Sequence, residues 1–108
     1  MKVTKQRTIL LQKTVLNGST GEHSITLEPD ENAILSVLPV YSQDVLLTIA
    51  DTDQPSRYHY AQKSNWSTDP RVQLNTRNPK KNLTATWTNS SGATVDCKAS
   101  VIVGHIED

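Results

Sequence analysis

Apolar and polar side chains alternate through most of this chain, most clearly near its end. Leu83, Ala85 and Trp87 alternate with Thr84, Thr86 and Thr88 before the turn-forming run Asn89-Ser90-Ser91-Gly92. Beyond that run Ala93, Val95, Cys97, Ala99, Val101 and Val103 share one face, and Thr94, Asp96, Lys98 and Ser100 share the other. Successive side chains of a strand point to opposite sides, so a period of two lets one face enter a core while the other meets water or a partner. Two such runs around an Asn/Gly-bearing turn predict a half-buried β-hairpin.

The same period recurs upstream. A first strand is expected over residues 3–16, with Ile9, Leu11 and Val15 inward against Leu10, Gln12 and Thr14. Asn17-Gly18-Ser19-Thr20-Gly21 turns it, since Asn and Gly tolerate positive φ. A second strand over 23–27 presents Ile25 and Leu27 inward, and residues 28–32, fixed by Pro29, form a polar turn facing solvent. Residues 33–41 and 44–50 are the most apolar segments, with Leu35, Val37, Val45, Leu47 and Ile49 as the expected centre of the core. Their shortness, β-branching and flanking turn residues favour strands over helices, and Pro39 marks a strand end, an edge or a bulge. A loop over 51–56, a polar aromatic strand over 57–61, an irregular stretch over 62–71, a short strand at Val72 and Leu74, and a basic loop over 75–81 complete the pass. About eight short strands without an amphipathic helix predict an all-β fold, a single antiparallel β-sandwich or jelly roll spanning residues 1–108.

Composition narrows the functional classes. The 11 basic and 11 acidic residues balance, which leaves no overall field to draw in nucleic acid or an anionic membrane. Lys2, Lys5, Arg7 and Lys13 all precede the first acid, Glu22, so residues 1–7 are a candidate arm contacting an acidic partner, with a solvated terminus as the alternative. The apolar run Ile9-Leu10-Leu11 is too short for a signal peptide or a membrane span, and synthesis in the cytosol without export is expected. Cys97 is the single cysteine and falls on the apolar face, where it reads as a small core residue.

Catalytic and metal signatures are sparse. His23, His59 and His105 lie far apart and none has paired ligand spacing. Asp51-Thr52-Asp53 offers two carboxylates to a calcium ion, but acidic turns serve local hydrogen bonding more often. No nucleophile elbow and no phosphate-cradling glycine loop occurs, so neither an enzyme nor a cofactor is expected. Tyr58 and Tyr60, two apart, would share one strand face, with Trp66 following; exposed rings of this kind form platforms for sugars or proteins. The alternative is that the two tyrosines cover a core edge. Arg77, Lys80 and Lys81 form a small basic loop around Asn78-Pro79, a solvated turn or a contact for an acidic subunit.

Two segments, residues 14–21 with the alternating strand that follows and residues 83–95, resemble small structural proteins of tailed bacteriophages: capsid decoration or cement proteins and head fibres. That resemblance implies a non-enzymatic virion component that docks on capsid protein subunits, commonly as a homo-oligomer such as a trimer. Similar turn-and-strand patterns occur in carbohydrate-binding modules, which leaves a lectin-like domain using Tyr58, Tyr60 and Trp66 as the second reading. The aromatic stretch 57–66 is the departure from the phage pattern.

Overall fold

The computed structural model describes residues 2–40, 44–64 and 72–107. Among them run eight strands and no helix: β1 (Lys2–Val15), β2 (Thr20–Thr26), β3 (Ala33–Val40), β4 (Val45–Asp51), β5 (Gln54–Ser64), β6 (Val72–Arg77), β7 (Asn82–Asn89) and β8 (Val95–Glu107). They form two four-stranded antiparallel sheets, β1-β8-β3-β6 and β2-β7-β4-β5. The pairs β1·β8, β2·β7, β3·β6 and β4·β5 are those of one long hairpin whose tip is the β4–β5 turn. Folding that ribbon so that successive pairs alternate between layers gives the jelly roll, the architecture of many viral capsid and lectin domains.

This topology corrects the expected terminal hairpin. Both runs form strands, with the anticipated inner faces except that Ala93 is exposed and precedes β8, yet β7 pairs with β2 and β4 whereas β8 pairs with β1 and β3. Residues 90–94 cross from one sheet to the other. Asn89 explains the crossing, because it occupies an inward phase of β7 and is 1% exposed. Its amide donates to Val15 O at 2.9 Å and Ala93 O at 2.8 Å, and its Oδ1 accepts from Ser91 N at 2.9 Å and Ser91 Oγ at 2.7 Å. Gly18, at φ 76°, bends the β1–β2 corner alongside, its N–H donating to Asn89 O at 2.9 Å. The sequence-adjacent hairpin lies instead at β4–β5, where Thr52 and Asp53 replace the longer loop expected over 51–56.

The core between the sheets contains Leu11, Val15, Ile25, Leu27, Val37, Val45, Leu47, Ile49, Leu83, Trp87, Cys97 and Val101, all buried. The indole N–H of Trp87 finds no acceptor among the described residues. Leu35 departs from expectation. A register shift between Ile34 and Ser36 sends Ile34 into the main core and puts Leu35 in a second, smaller cluster with Ala33, Ile106 and Ile102. A bulge adds one residue to a strand and resets its facing, so strict alternation fails there.

The open end of the sandwich is closed by the β2–β3 connection. Glu31, expected to face solvent, has a fully buried side chain. Arg7 holds it with two parallel bonds, Nε to Oε2 at 2.9 Å and Nη2 to Oε1 at 2.7 Å, and the Glu28 N–H donates to Oε1 at 2.7 Å. The Arg7 fork keeps the Glu31 carboxyl below its ordinary range, against the upward push of burial. Lys81 Nζ donates to the carbonyls of Glu28, Pro29 and Glu31, tying the same connection down from the β6–β7 connection.

Candidate functional site

A two-layer sandwich has two outer faces, and a binding protein without a deep cleft must use these, its edges or its loops. On the β1-β8-β3-β6 sheet the outward positions of β1 are Thr8, Leu10, Gln12 and Thr14, in register with Ile102, Ser100, Lys98 and Asp96 of β8. Leu38 of β3 lies across Ser100 from Leu10, giving the row Leu10–Ser100–Leu38, and Ile102 lies one row along. Leu10 is 75% exposed. One exposed leucine means little, but a row of apolar side chains does. Through Ile102 this row meets the cluster of Ala33, Leu35 and Ile106, which is itself buried, so the accessible part of the apolar stripe is Leu10 with the half-buried Leu38 and Ile102. Beside it Leu10, Gln12, Lys98 and Ser100 border a shallow depression of about 260 Å³. The charges at its end are modest: Lys98 sits 3.7 Å from Asp96, whose carboxylate also accepts from Gln12 Nε2 at 3.1 Å.

The expected basic arm is not an arm. Residues 2–7 belong to β1 and pair along β8, from Lys2 opposite Glu107 to Arg7 opposite Val103. Lys5 bonds Glu28 at 2.7 Å and Asp30 at 3.0 Å, and Arg7 is committed to Glu31. Hydrogen bonds to Glu28 and Asp30 raise the Lys5 pKa, as expected for a charge held by its own chain. The uneven distribution of charge in the sequence therefore reflects a clasp between β1 and the β2–β3 connection; Lys2 alone of the three is exposed at the strand end without an ion pair among the described residues.

The aromatic platform separates as well. Tyr58 is 58% exposed, whereas Tyr60 is buried in the main core with its hydroxyl donating to Gln62 Oε1 at 3.0 Å. Their separation has a cause in the ladder: Ile49 opposes Tyr60 but Ala50 opposes Tyr58, so His59 is an inserted bulge residue. Trp66 lies outside the described residues. His59 Nε2 meets Asp51 Oδ1 at 2.7 Å, and the Lys80 N–H donates to the same oxygen at 3.3 Å. Burial pushes the Asp51 carboxyl up, but these bonds outweigh it and its pKa falls below the usual value. The carboxylate thus ties the β5 bulge and the β6–β7 connection to the end of β4, and among the described residues no group of three or more His, Cys, Asp or Glu side chains is placed to hold a metal.

No protein-family model matches this chain, and no curated protein matches it in sequence. The geometry therefore carries the functional argument. Among the described residues no helix is long and apolar enough to cross a membrane. Cys97 is buried, and desolvation with Asp96 nearby pushes its thiol up to about 11, which removes it from the reactive thiolates at neutral pH. The basic loop is also partly spent, since Lys81 holds three carbonyls.

On the opposite sheet the outward residues are small and hydroxylated. Thr84, Thr86 and Thr88 of β7 are half-buried between Ser24, Glu22 and Thr20 of β2 and Ala50, Thr48 and Leu46 of β4. This face differs in kind from the apolar stripe: it is hydroxyl-rich, and a shallow groove of about 290 Å³ crosses it at the Ala50 level.

Proposed function

We propose that this protein is a non-enzymatic structural subunit that docks on protein partners of a larger assembly, and that its nearest functional type is an accessory protein of a viral particle. The apolar stripe of Leu10, Leu38 and Ile102 on the outside of the β1-β8-β3-β6 sheet carries this reading. Burying one exposed leucine fully on docking contributes about 1.5–3 kcal/mol; Leu10 supplies most of that term, and Leu38 and Ile102, already half-buried, add less to the anchor. β1 is also the edge of its sheet over 14 residues, leaving unpaired backbone groups to receive a partner's strand. The jelly-roll architecture supports the viral assignment at the level of fold only, because the same fold serves lectins and enzymes. Docking through a flat strand face and edge needs no cofactor and no catalytic group.

Co-sedimentation tests the reading. Purified protein is mixed with viral particles from the same source and pelleted, in parallel with the Leu10→Asp variant. Wild type is expected in the pellet and the variant in the supernatant, with both showing the same urea midpoint. Wild type remaining in the supernatant, or a variant that pellets equally well, contradicts it.

A further inference from the structure

We propose that the groove on the outer face of the β2-β7-β4-β5 sheet is a binding site for a neutral carbohydrate, separate from the docking stripe on the other sheet. The site follows from the register. One row across the four strands reads Ser24, Thr84, Ala50, Tyr58, and the next reads Glu22, Thr86, Thr48, Ala61. Ala50 is the small residue of its row and lies buried in the groove lining, with Thr84 of β7 and Tyr58 of β5 as its ladder neighbours. The depression therefore has a reason: a methyl group stands between taller neighbours. From β2 to β5 the row covers three strand spacings, about 14 Å, long enough to receive a short oligosaccharide lying across the strands.

The functional groups match a polyol. Thr48 and Thr86 carry hydroxyls with no partner among the described residues, each able to donate one hydrogen bond and accept others. Thr52 and Thr84, 2.9 Å apart through their hydroxyls, add a fixed pair at the other end. Glu22 lines the groove without an ion pair among the described residues, and a free carboxylate accepts two hydrogen bonds from neighbouring sugar hydroxyls. Tyr58 does not line the groove, but it is opposite Ala50 in the register and exposed, and the apolar face of a pyranose extending past the groove stacks on such a ring at low entropic cost. None of the residues lining the groove is Lys or Arg. An anionic ligand would meet the carboxylates of Glu22 and Asp51 with no cation in the groove lining, Lys80 and Lys81 bordering only the adjoining depression at Thr52, so phosphate, sulfated glycans and nucleic acid are disfavoured in the groove and a neutral sugar fits.

The test is a titration of the intact ¹⁵N-labelled protein, followed by amide chemical shifts. The probes are neutral gluco-, manno-, galacto- and N-acetylglucosamine-type oligosaccharides, each to about 10 mM, a concentration that detects sites as weak as the millimolar range. Sialylated and sulfated oligosaccharides serve as charged controls. At least one neutral probe is expected to give saturable shifts at Thr48, Ala50, Thr84 and Thr86, and Tyr58→Ala and Glu22→Gln should each weaken it about 10-fold or more. Leu10→Asp should leave the titration unchanged, which keeps this result independent of the docking experiment. The proposal is overturned if no neutral probe shifts these residues, if only charged probes do, or if both groove variants bind normally. It is equally overturned if the shifts follow protein concentration instead of sugar, since the face would then be an interface between copies.

Discussion

Replacing Asn89 with alanine should destabilise the fold far more than its place in a turn-like sequence suggests. In the structure its side chain makes four hydrogen bonds at the crossing between sheets, two of them to Ser91 within the same turn and two to the carbonyls of Val15 and Ala93. A net hydrogen bond contributes about 1 kcal/mol, and stranding a buried acceptor adds about 1–3 kcal/mol. The Val15 contact is buried, whereas the others are partly wet, so the loss should be about 2–4 kcal/mol. Against a total stability of about 5–15 kcal/mol this is a large fraction, and for a domain near 100 residues it corresponds to a fall in Tm on the order of 10–20 °C. Urea denaturation followed by Trp fluorescence measures it, with Ser91→Ala as the comparison that removes only local bonds and should cost about 1 kcal/mol or less. If residues 89–92 instead formed an exposed hairpin turn, Asn89→Ala would change stability by no more than about 0.5 kcal/mol, the usual scale for a surface site. A change that small would refute the crossing and its fastening.

Three further substitutions or titrations probe the other packing statements. Arg7→Ala leaves the buried Glu31 carboxylate without its fork; because Arg7 is itself partly wet, the cost should be about 3 kcal/mol at pH 7, the low end for a broken buried pair. Glu31 has a folded pKa below its unfolded value of about 4.3, so this stabilisation is complete above that pH and is lost as pH falls through the folded pKa. The gap between wild-type and variant urea midpoints should therefore close on acidification below about pH 4, and a gap independent of pH would contradict the pairing. Gly104→Ala would place a methyl carbon 2.0 Å from the backbone oxygen of Lys5, forcing β1 and β8 apart; a loss of about 1–3 kcal/mol is expected in thermal melts, and an unchanged Tm would refute the close approach. Cys97 should resist a thiol-specific disulfide reagent at pH 8 until the protein unfolds, because its thiol is buried and titrates near 11. Since that folded pKa lies above the unfolded value of about 8.5, stability should also decline as pH rises between the two, and labelling of the native protein within minutes would contradict both points.

Alternation made the faces of this fold readable before its pairing was. The inward positions of β1, β4, β7 and β8 follow from a period of two alone, since that period depends only on which side of a strand each residue occupies. Leu11, Val15, Leu47, Trp87 and Cys97 lie accordingly in the core. Which strands pair is a non-local property, so Asn89-Ser90-Ser91-Gly92 was legible as a turn but not as a crossing. One signal was present: Asn89 continues the inward phase of Leu83, Ala85 and Trp87, and a polar residue in that phase needs partners inside. The bulges at Ile34–Ser36 and at His59 were silent, because a bulge shifts facing without changing residue types; Leu35 left the main core and Tyr58 parted from Tyr60 for that reason. Lys5 and Arg7 suggested a free basic arm only because Glu28, Asp30 and Glu31, their partners, lie more than 20 residues away in the chain. The apolar stripe was half visible. Leu10 stood out as an apolar residue in an outward phase, but its continuity with Leu38 and Ile102 required the register of three strands.

Hydroxyl-radical footprinting of the protein, free and bound to its native assembly, tests the docking claim most directly because it reads side-chain exposure. In the free state Leu10 and Tyr58, at 75% and 58% exposure on opposite sheets, should both be modified readily. On assembly, modification of Leu10, Leu38 and Ile102 should fall sharply while Tyr58 keeps its rate. Unchanged labelling of Leu10 in the bound protein would contradict docking through the β1-β8-β3-β6 face.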